Sequence, residues 1–267
     1  MVTQQVVTTQ SKTATWSTWH TVGLVGILAG VGVDELLMPL DVRLWAWLGA
    51  VALLMLFAAI AGHGVTGCWH GALIDERNKI SLSRLQATLW TLLVLSALLS
   101  AAFTNMRDGQ ADPLAIVMPG GLWILMGISA TSLVGAPLVL SGKKNRSADD
   151  EQTRRTLDLL AKHNVNIDTV STMGQVIVNG SPQNARWADL FSGEETGNAA
   201  QFDLGKMQLC YFTMILVLVY AVALGILFTG PVRVISTFPD MDTSILTLLG
   251  ISHAAYLANK AIPHSAS

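Results

Sequence analysis

The run from Leu85 to Phe103, LQATLWTLLVLSALLSAAF, carries no charged side chain. About 20 consecutive apolar residues cross the hydrocarbon core of a bilayer, so this run limits the chain's options more than any other. It also recurs. ISLSRLQATLWTL at 80–92 aligns with FDLGKMQLCYFTM at 202–214, an offset of 122. The matched places pair Ser81 with Asp203, Leu82 with Leu204, Arg84 with Lys206, Gln86 with Gln208, Trp90 with Phe212 and Thr91 with Thr213. A second apolar run follows each copy. LWILMGIS at 122–129 aligns with ILTLLGIS at 245–252, an offset of 123. The pattern reads as a two-helix hairpin used twice.

Composition puts this hairpin in a membrane. Charged residues make up 13% of the chain and mean hydropathy is +0.49, whereas soluble domains run near 25% charged. Six stretches are apolar enough to span: 16–33, 44–64, 85–104, 120–140, 207–228 and 244–260. The first is interrupted by His20 and glycines; the last is short and carries His253. The expected fold is therefore an all-α polytopic membrane protein of six transmembrane helices. Helices 3–4 and 5–6 form a tandem parallel repeat, and a small cytoplasmic α(+β) insertion separates them. The expected plan is a polar tail at 1–15, helices 1–2 at 16–64, one hairpin at 80–140, the insertion at 141–201 and the second hairpin at 202–262.

Basic residues set the orientation. With six spans, 13 of the 16 Lys and Arg fall on the side holding both termini, 65–84 and 141–206. Only Arg43, Arg107 and Arg233 fall on the other. Both termini are expected in the cytoplasm. Cys68 and Cys210 then lie near the reducing side, where a structural disulfide is not expected. An uncleaved first helix is the better reading than a leader, since only Lys12 precedes it and no small-x-small site ends it.

Several residues carry chemistry beyond spanning. Gly26 and Gly30 make a GxxxG, which lets another backbone approach closely, within the chain or in a homo-oligomer. Asp34, Glu35 and Asp41 read as loop charges, part of an outer surface of 7 acids against 3 bases. His63, Cys68, His70, Asp75 and Glu76 are metal-ligand types, but their spacing matches no zinc pattern, and neither a metal nor a cofactor is expected. Ser83 and Gln86 form a capping-box pattern. Arg84 and Lys206 sit where a cation opposes the helix dipole. They read as interface cations that snorkel toward lipid phosphate, or as two equivalent anion sites. Gln86 and Gln208, one turn into the membrane, want hydrogen-bond partners on neighbouring helices.

Ser129, Thr131, Ser252 and His253 give the fourth and sixth spans a polar face. An ionisable residue within a span is a functional candidate by default, and Ser129, Gln86 and Gln208 are the expected partners of His253. In the insertion, Ser147–Glu151 opens a helix, STMGQVIVNG reads as a strand pair, and Ser181-Pro182 starts a second helix. Trp187, Leu190 and Phe191 would share one face of that helix, for the membrane surface or a protein partner. Gly193-Glu-Glu-Thr-Gly-Asn reads as a flexible acidic link.

No nucleophile elbow, HExxH, phosphate loop or paired intramembrane acid is present in the sequence, and no catalytic residue is assigned. Basic-aromatic patterning for nucleic acid is also lacking. Two readings remain. One is a passive channel-like pore between the hairpins, lined by Ser129, Thr131, Ser252, His253, Gln86 and Gln208. The other is a membrane anchor or assembly subunit that binds a cytoplasmic protein through 141–206.

Overall fold

A computed structural model describes residues 16–231 and 233–265; the predicted tail at 1–15 lies outside them. The fold is mostly helical. Five helices are long and apolar enough to cross a membrane: α1 (Thr18–Leu37), α2 (Arg43–Thr66, continuous with a short turn from Leu40), α3 (Leu82–Arg107), α4 (Gly120–Lys144) and α6 (Leu204–Thr229). The sixth expected span corresponds to α7 (Thr243–Ala261), a helix of 19 residues that is not among those five. Between α4 and α6 lie α5 (Asp150–Lys162) and the hairpin of β1 (Val170–Met173) and β2 (Val176–Asn179).

Local chemistry explains the ends. At 1.5 Å per residue, α3 and α6, of 26 residues each, run about 39 Å, more than a hydrocarbon core. Asp203 caps α6 by accepting from Lys206 N at 3.0 Å, and Asp242 caps α7 by accepting from Ser244 N at 2.8 Å. Ser81 precedes α3 at the matching place, but its side chain caps nothing. Arg107 donates to the carbonyls of Glu35 and Met38, and Arg43 to that of Gly230 at 2.6 Å. These cations thus complete the C-terminal ends of α1 and α6.

Helices α3, α4, α7 and α6 close a ring of contacts, with α1 and α2 packed on its α3 side. The space within the ring is filled. Trp90, Leu93, Leu122, Leu125, Leu216, Tyr220, Leu224, Phe228 and Leu249 belong to one buried cluster. Trp47 of α2 joins it, stacking on Phe228 with centroids 5.3 Å apart and donating to Ser96 Oγ at 3.1 Å. Asn105 stitches the opposite end shut, exchanging hydrogen bonds with the backbone of Ile235 in both directions.

Two expectations about charge and small residues change here. Asp34 and Glu35 are not loop residues, because α1 continues to Leu37. Glu35 is 3% exposed and accepts from the Ser100 hydroxyl. Asp34 packs so close to α2 that a Cβ at Gly49 would stand 2.5 Å from Asp34 Oδ2. Helix-end acids thus lie within packed helix contacts. Gly26, by contrast, has open space where a Cβ would stand, and Gly30 meets only Leu53 at 3.8 Å. The pair does not bring α1 and α2 into close backbone contact.

Candidate functional site

The polar segments gather at one end of the bundle and form a cap. The loop after α2 folds back first. Gly62 and Gly71 touch backbone to backbone there, and a Cβ on Gly62 would stand 2.6 Å from Ala72 N. Residues 74–80 then make a tight turn, Ile74 bridging Ile80 with Asn78 in the left-handed region. Asn78 and Asn179 exchange side-chain-to-carbonyl bonds of 2.8 and 2.9 Å, which ties this turn to β2. The β1–β2 register pairs Met173 with Val176, so Gly174 and Gln175 form the turn, Gly174 at φ +58°. Ile177 N donates to Glu194 O at 3.0 Å.

The expected flexible link is therefore buried. Glu194 and Glu195 are 8% and 2% exposed and occupy the centre of the cap. Glu194 meets three cations: Arg77 at 2.9 Å, Lys206 at 3.0 Å and Lys260 at 2.7 Å. Glu195 meets Lys143 at 2.6 Å and accepts from His264 N at 3.0 Å. Arg77 is also held by Asp75 at 2.6 Å. Lys143 further donates to the carbonyls of Lys260 and Ile262 at 2.6 and 2.7 Å, the last turn of α7 and its exit. Two adjacent carboxylates thus join the end of α4, the start of α6, the end of α7 and the loop before α3.

The electrostatics follow from this arrangement. Burial alone pushes the Glu194 carboxyl up. Arg77, Lys206 and Lys260 outweigh that and hold it well below the usual carboxylate range. Lys79 is the weakly served member. Burial brings its ammonium down to about 8, against Asp189 3.9 Å away, and the nearby Arg77, Lys206 and Arg186 cations add to the drop. Glu194, Glu195, Asp189 and Asp75 are all engaged by these cations, so the cluster holds itself together.

The residues singled out from sequence scatter around this cap. His253, Gln86, Ser129 and Ser132 meet between α3, α4 and α7. Gln86 Nε2 lies 2.6 Å from His253 Nε2 and 3.3 Å from Ser129 Oγ, and Ser132 Oγ meets His253 Nδ1. A neutral ring protonated on Nδ1 serves both neighbours, accepting from Gln86 and donating to Ser132. Ser132 was not among the expected partners. Ser252 is buried, but Thr131 is exposed and bonds only its own helix, at Gly127 O, 2.8 Å. Gln208 is exposed, beside a surface cleft with Asn259 and His264, whereas Gln86 is fully buried. Arg84 and Lys206 also part: Lys206 is buried against Glu194, and Arg84 is exposed.

The helix expected from Ser181-Pro182 is broken into two 3-10 turns, Pro182–Asn184 and Trp187–Leu190, the second ended by Phe191. Leu190 is buried with Ile80, Leu82, Leu209 and Tyr256, and Phe191 is half-buried against them. Trp187 alone of the three is exposed, its ring 6.3 Å from that of His70. The metal-ligand types also diverge. Glu76 pairs with Lys144 at 2.5 Å, and His63 Nδ1 lies 3.1 Å from His20 Nε2 inside a surround of Trp16, Trp19 and Trp69. Cys68 and Cys210 are free thiols. Among the described residues no three His, Cys, Asp or Glu side chains converge as a metal site.

Sequence reasoning missed Glu194, Glu195, Arg77, Lys143 and Lys260. The available signal was the flanking Gly193 and Gly197, where a Cβ would collide with Asn198 and with His264 O. Glycines in close backbone contact mark a packed loop rather than a flexible one. No protein-family model matches the chain, and no curated protein or solved structure is significantly similar to it.

Proposed function

We propose that this integral membrane protein is a non-catalytic anchor or assembly subunit. Its cap, facing the cytoplasm, is a rigid platform for a soluble protein partner. The observation that carries this reading is the Glu194–Glu195 clamp. It ties the 141–206 segment to α4, α6 and α7 at once through buried ion pairs. A rigid platform lowers the ordering cost of association. Trp187, Met173 and Leu159 are exposed apolar residues of this segment. A buried ion pair is weak evidence for stability but fixes geometry, which is what an assembly surface needs.

The pore reading keeps one supporting observation, the buried polar group of Gln86, Ser129, Ser132 and His253. Beyond it the space within the ring of helices is filled by Trp90, Leu93, Leu125 and Leu249.

The test is site-specific photo-crosslinking of the full chain in its native membrane, with the probe at position 187, 173 or 159. One discrete adduct, the same from neighbouring positions and weakened by Glu194→Gln, supports the platform. Adducts only to lipid from all three positions, as from a control probe on the lipid-facing side of α6, would refute it.

A further inference from the structure

Between α2 and α3, at the cap end, lies an apolar groove of about 800 Å³, within the size of a built small-molecule site, about 300–1,000 Å³. Leu54, Phe57, Ala61 and Val65 line it from α2, and Thr91 and Leu92 from α3. The Gly71-Ala72 turn closes its cap end. A second cleft of about 380 Å³ runs between α3 and α4 and is mixed in character, lined by Leu133, Pro137 and Leu140 but also by Asp75, Glu76 and Lys260. The two clefts share Arg84, Ala87 and Thr88 of α3. Arg84 therefore stands at the mouth of the apolar groove, between it and the mixed cleft, at the end of α3.

Its charge is not matched by protein. Among the described residues Arg84 makes no hydrogen bond or ion pair, and its side chain is exposed. The two acids beside it are committed elsewhere, Asp75 to Arg77 at 2.6 Å and Glu76 to Lys144 at 2.5 Å. Lys206, the third residue of α6 as Arg84 is of α3, is by contrast buried on Glu194. Asp203 caps α6, while the Ser81 side chain leaves the first-turn N–H groups of α3 uncapped. Where Lys206 has Glu194 and α6 has Asp203, Arg84 is left as an exposed cation at an uncapped helix start beside an apolar groove.

We propose that this is a binding site for one anionic phospholipid. Its phosphate sits on the Arg84 guanidinium at the α3 N-terminus, and its acyl chains lie in the apolar groove between α2 and α3. Guanidinium groups pair with phosphate oxygens through two parallel hydrogen bonds, and helix N-termini favour phosphate. The apolar groove selects an amphiphile over a free anion. The inference does not depend on whether the cap binds a partner.

The test titrates the purified full-length protein with phosphatidylglycerol and with phosphatidylcholine of the same chains, read by native mass spectrometry. Wild type should retain phosphatidylglycerol roughly fivefold or more tightly than phosphatidylcholine, the scale of one interfacial cation. Arg84→Gln should abolish that preference, and Arg84→Lys should keep part of it. Ala87→Trp, filling the groove, should weaken both lipids. Equal binding of the two lipids by wild type, or an undiminished preference in Arg84→Gln, would overturn the proposal. So would displacement of phosphatidylglycerol by millimolar inorganic phosphate, which would indicate a plain anion site. Arg84 is exposed, and unchanged circular dichroism of its variants shows that any loss is one of binding.

Discussion

Glu194→Gln is the sharpest perturbation the structure offers. The substitution keeps shape and removes one charge from a carboxylate shared by Arg77, Lys206 and Lys260. Arg77 retains Asp75. Lys206 is left with the carbonyls of Asp189 and Ser192 at 3.4 and 2.7 Å, and Lys260 with the Tyr256 hydroxyl at 2.9 Å. Two buried ammonium groups thus lose the only carboxylate that pairs with them among the described residues. Removing one partner of a buried pair costs about 3–5 kcal/mol, because the remaining charge stays desolvated. At about 1.4 kcal/mol per tenfold, amides protected by cap closure should exchange between about 10² and 5 × 10³ times faster. Hydrogen-exchange mass spectrometry over 141–206 in detergent at pH 7 reads this directly. Glu151→Gln is the control. Its pair with Arg155 is exposed on both sides, and such pairs are worth about 1 kcal/mol or less. Adding Lys206→Gln to Glu194→Gln should recover part of the loss, since it removes an orphaned charge. If Glu194→Gln exchanges no faster than Glu151→Gln, the clamp does not hold the cap.

Three further outcomes follow from the same geometry. The pH dependence of cap protection has two limbs. The folded-state pKa of Glu194 is depressed, so its contribution is complete above the ordinary carboxylate value of 4.5 and is lost as pH falls below it. Lys79, at about 8 against 10.5 unfolded, binds fewer protons in the folded cap, so protection rises between those values, and Lys79→Met removes that rise. His253→Leu should destabilise the bundle by about 1–3 kcal/mol in denaturant, since Gln86 loses a buried partner, and Gln86→Leu should restore part of it. Gly62→Val should push the 67–73 loop off α2, seen as tryptic cleavage at Arg77 or Lys79, because a Cβ there meets Ala72 N at 2.6 Å.

Elements governed by local chemistry were legible in the sequence, and contacts between distant segments were not. Long apolar runs gave the membrane helices, because length and hydropathy are properties of one segment. The strand pair over STMGQVIVNG was readable for the same reason, being set by its own neighbourhood. Glu194 was not. Its partners lie at 77, 206 and 260, and each had a sufficient separate explanation as a cation held on the cytoplasmic side. Only tertiary folding brings them to one carboxylate. Asp34 and Glu35 were misplaced because an acid at a helix end looks the same whether it faces water or a serine on the next helix. The i, i+3, i+4 spacing of Trp187, Leu190 and Phe191 suggested a helix, but Leu190 is taken up by Ile80, Leu82, Leu209 and Tyr256. Tertiary packing outweighed periodicity over so short a span. The aligned sequences of the two hairpins hid a difference that matters more than their likeness. Lys206 finds its anion inside the protein, and Arg84 does not.

The most direct measurement of the central claim is ion flux through the purified protein in sealed liposomes, at several pH values and for several ions, beside empty liposomes and His253→Leu. A bundle filled by Trp90, Leu93, Leu125 and Leu249, serving as the base of a clamped platform, should pass nothing above the empty-liposome background. Flux above that background that changes in a folded His253→Leu protein would contradict the account and return the polar group of Gln86, Ser129, Ser132 and His253 to the wall of a pore.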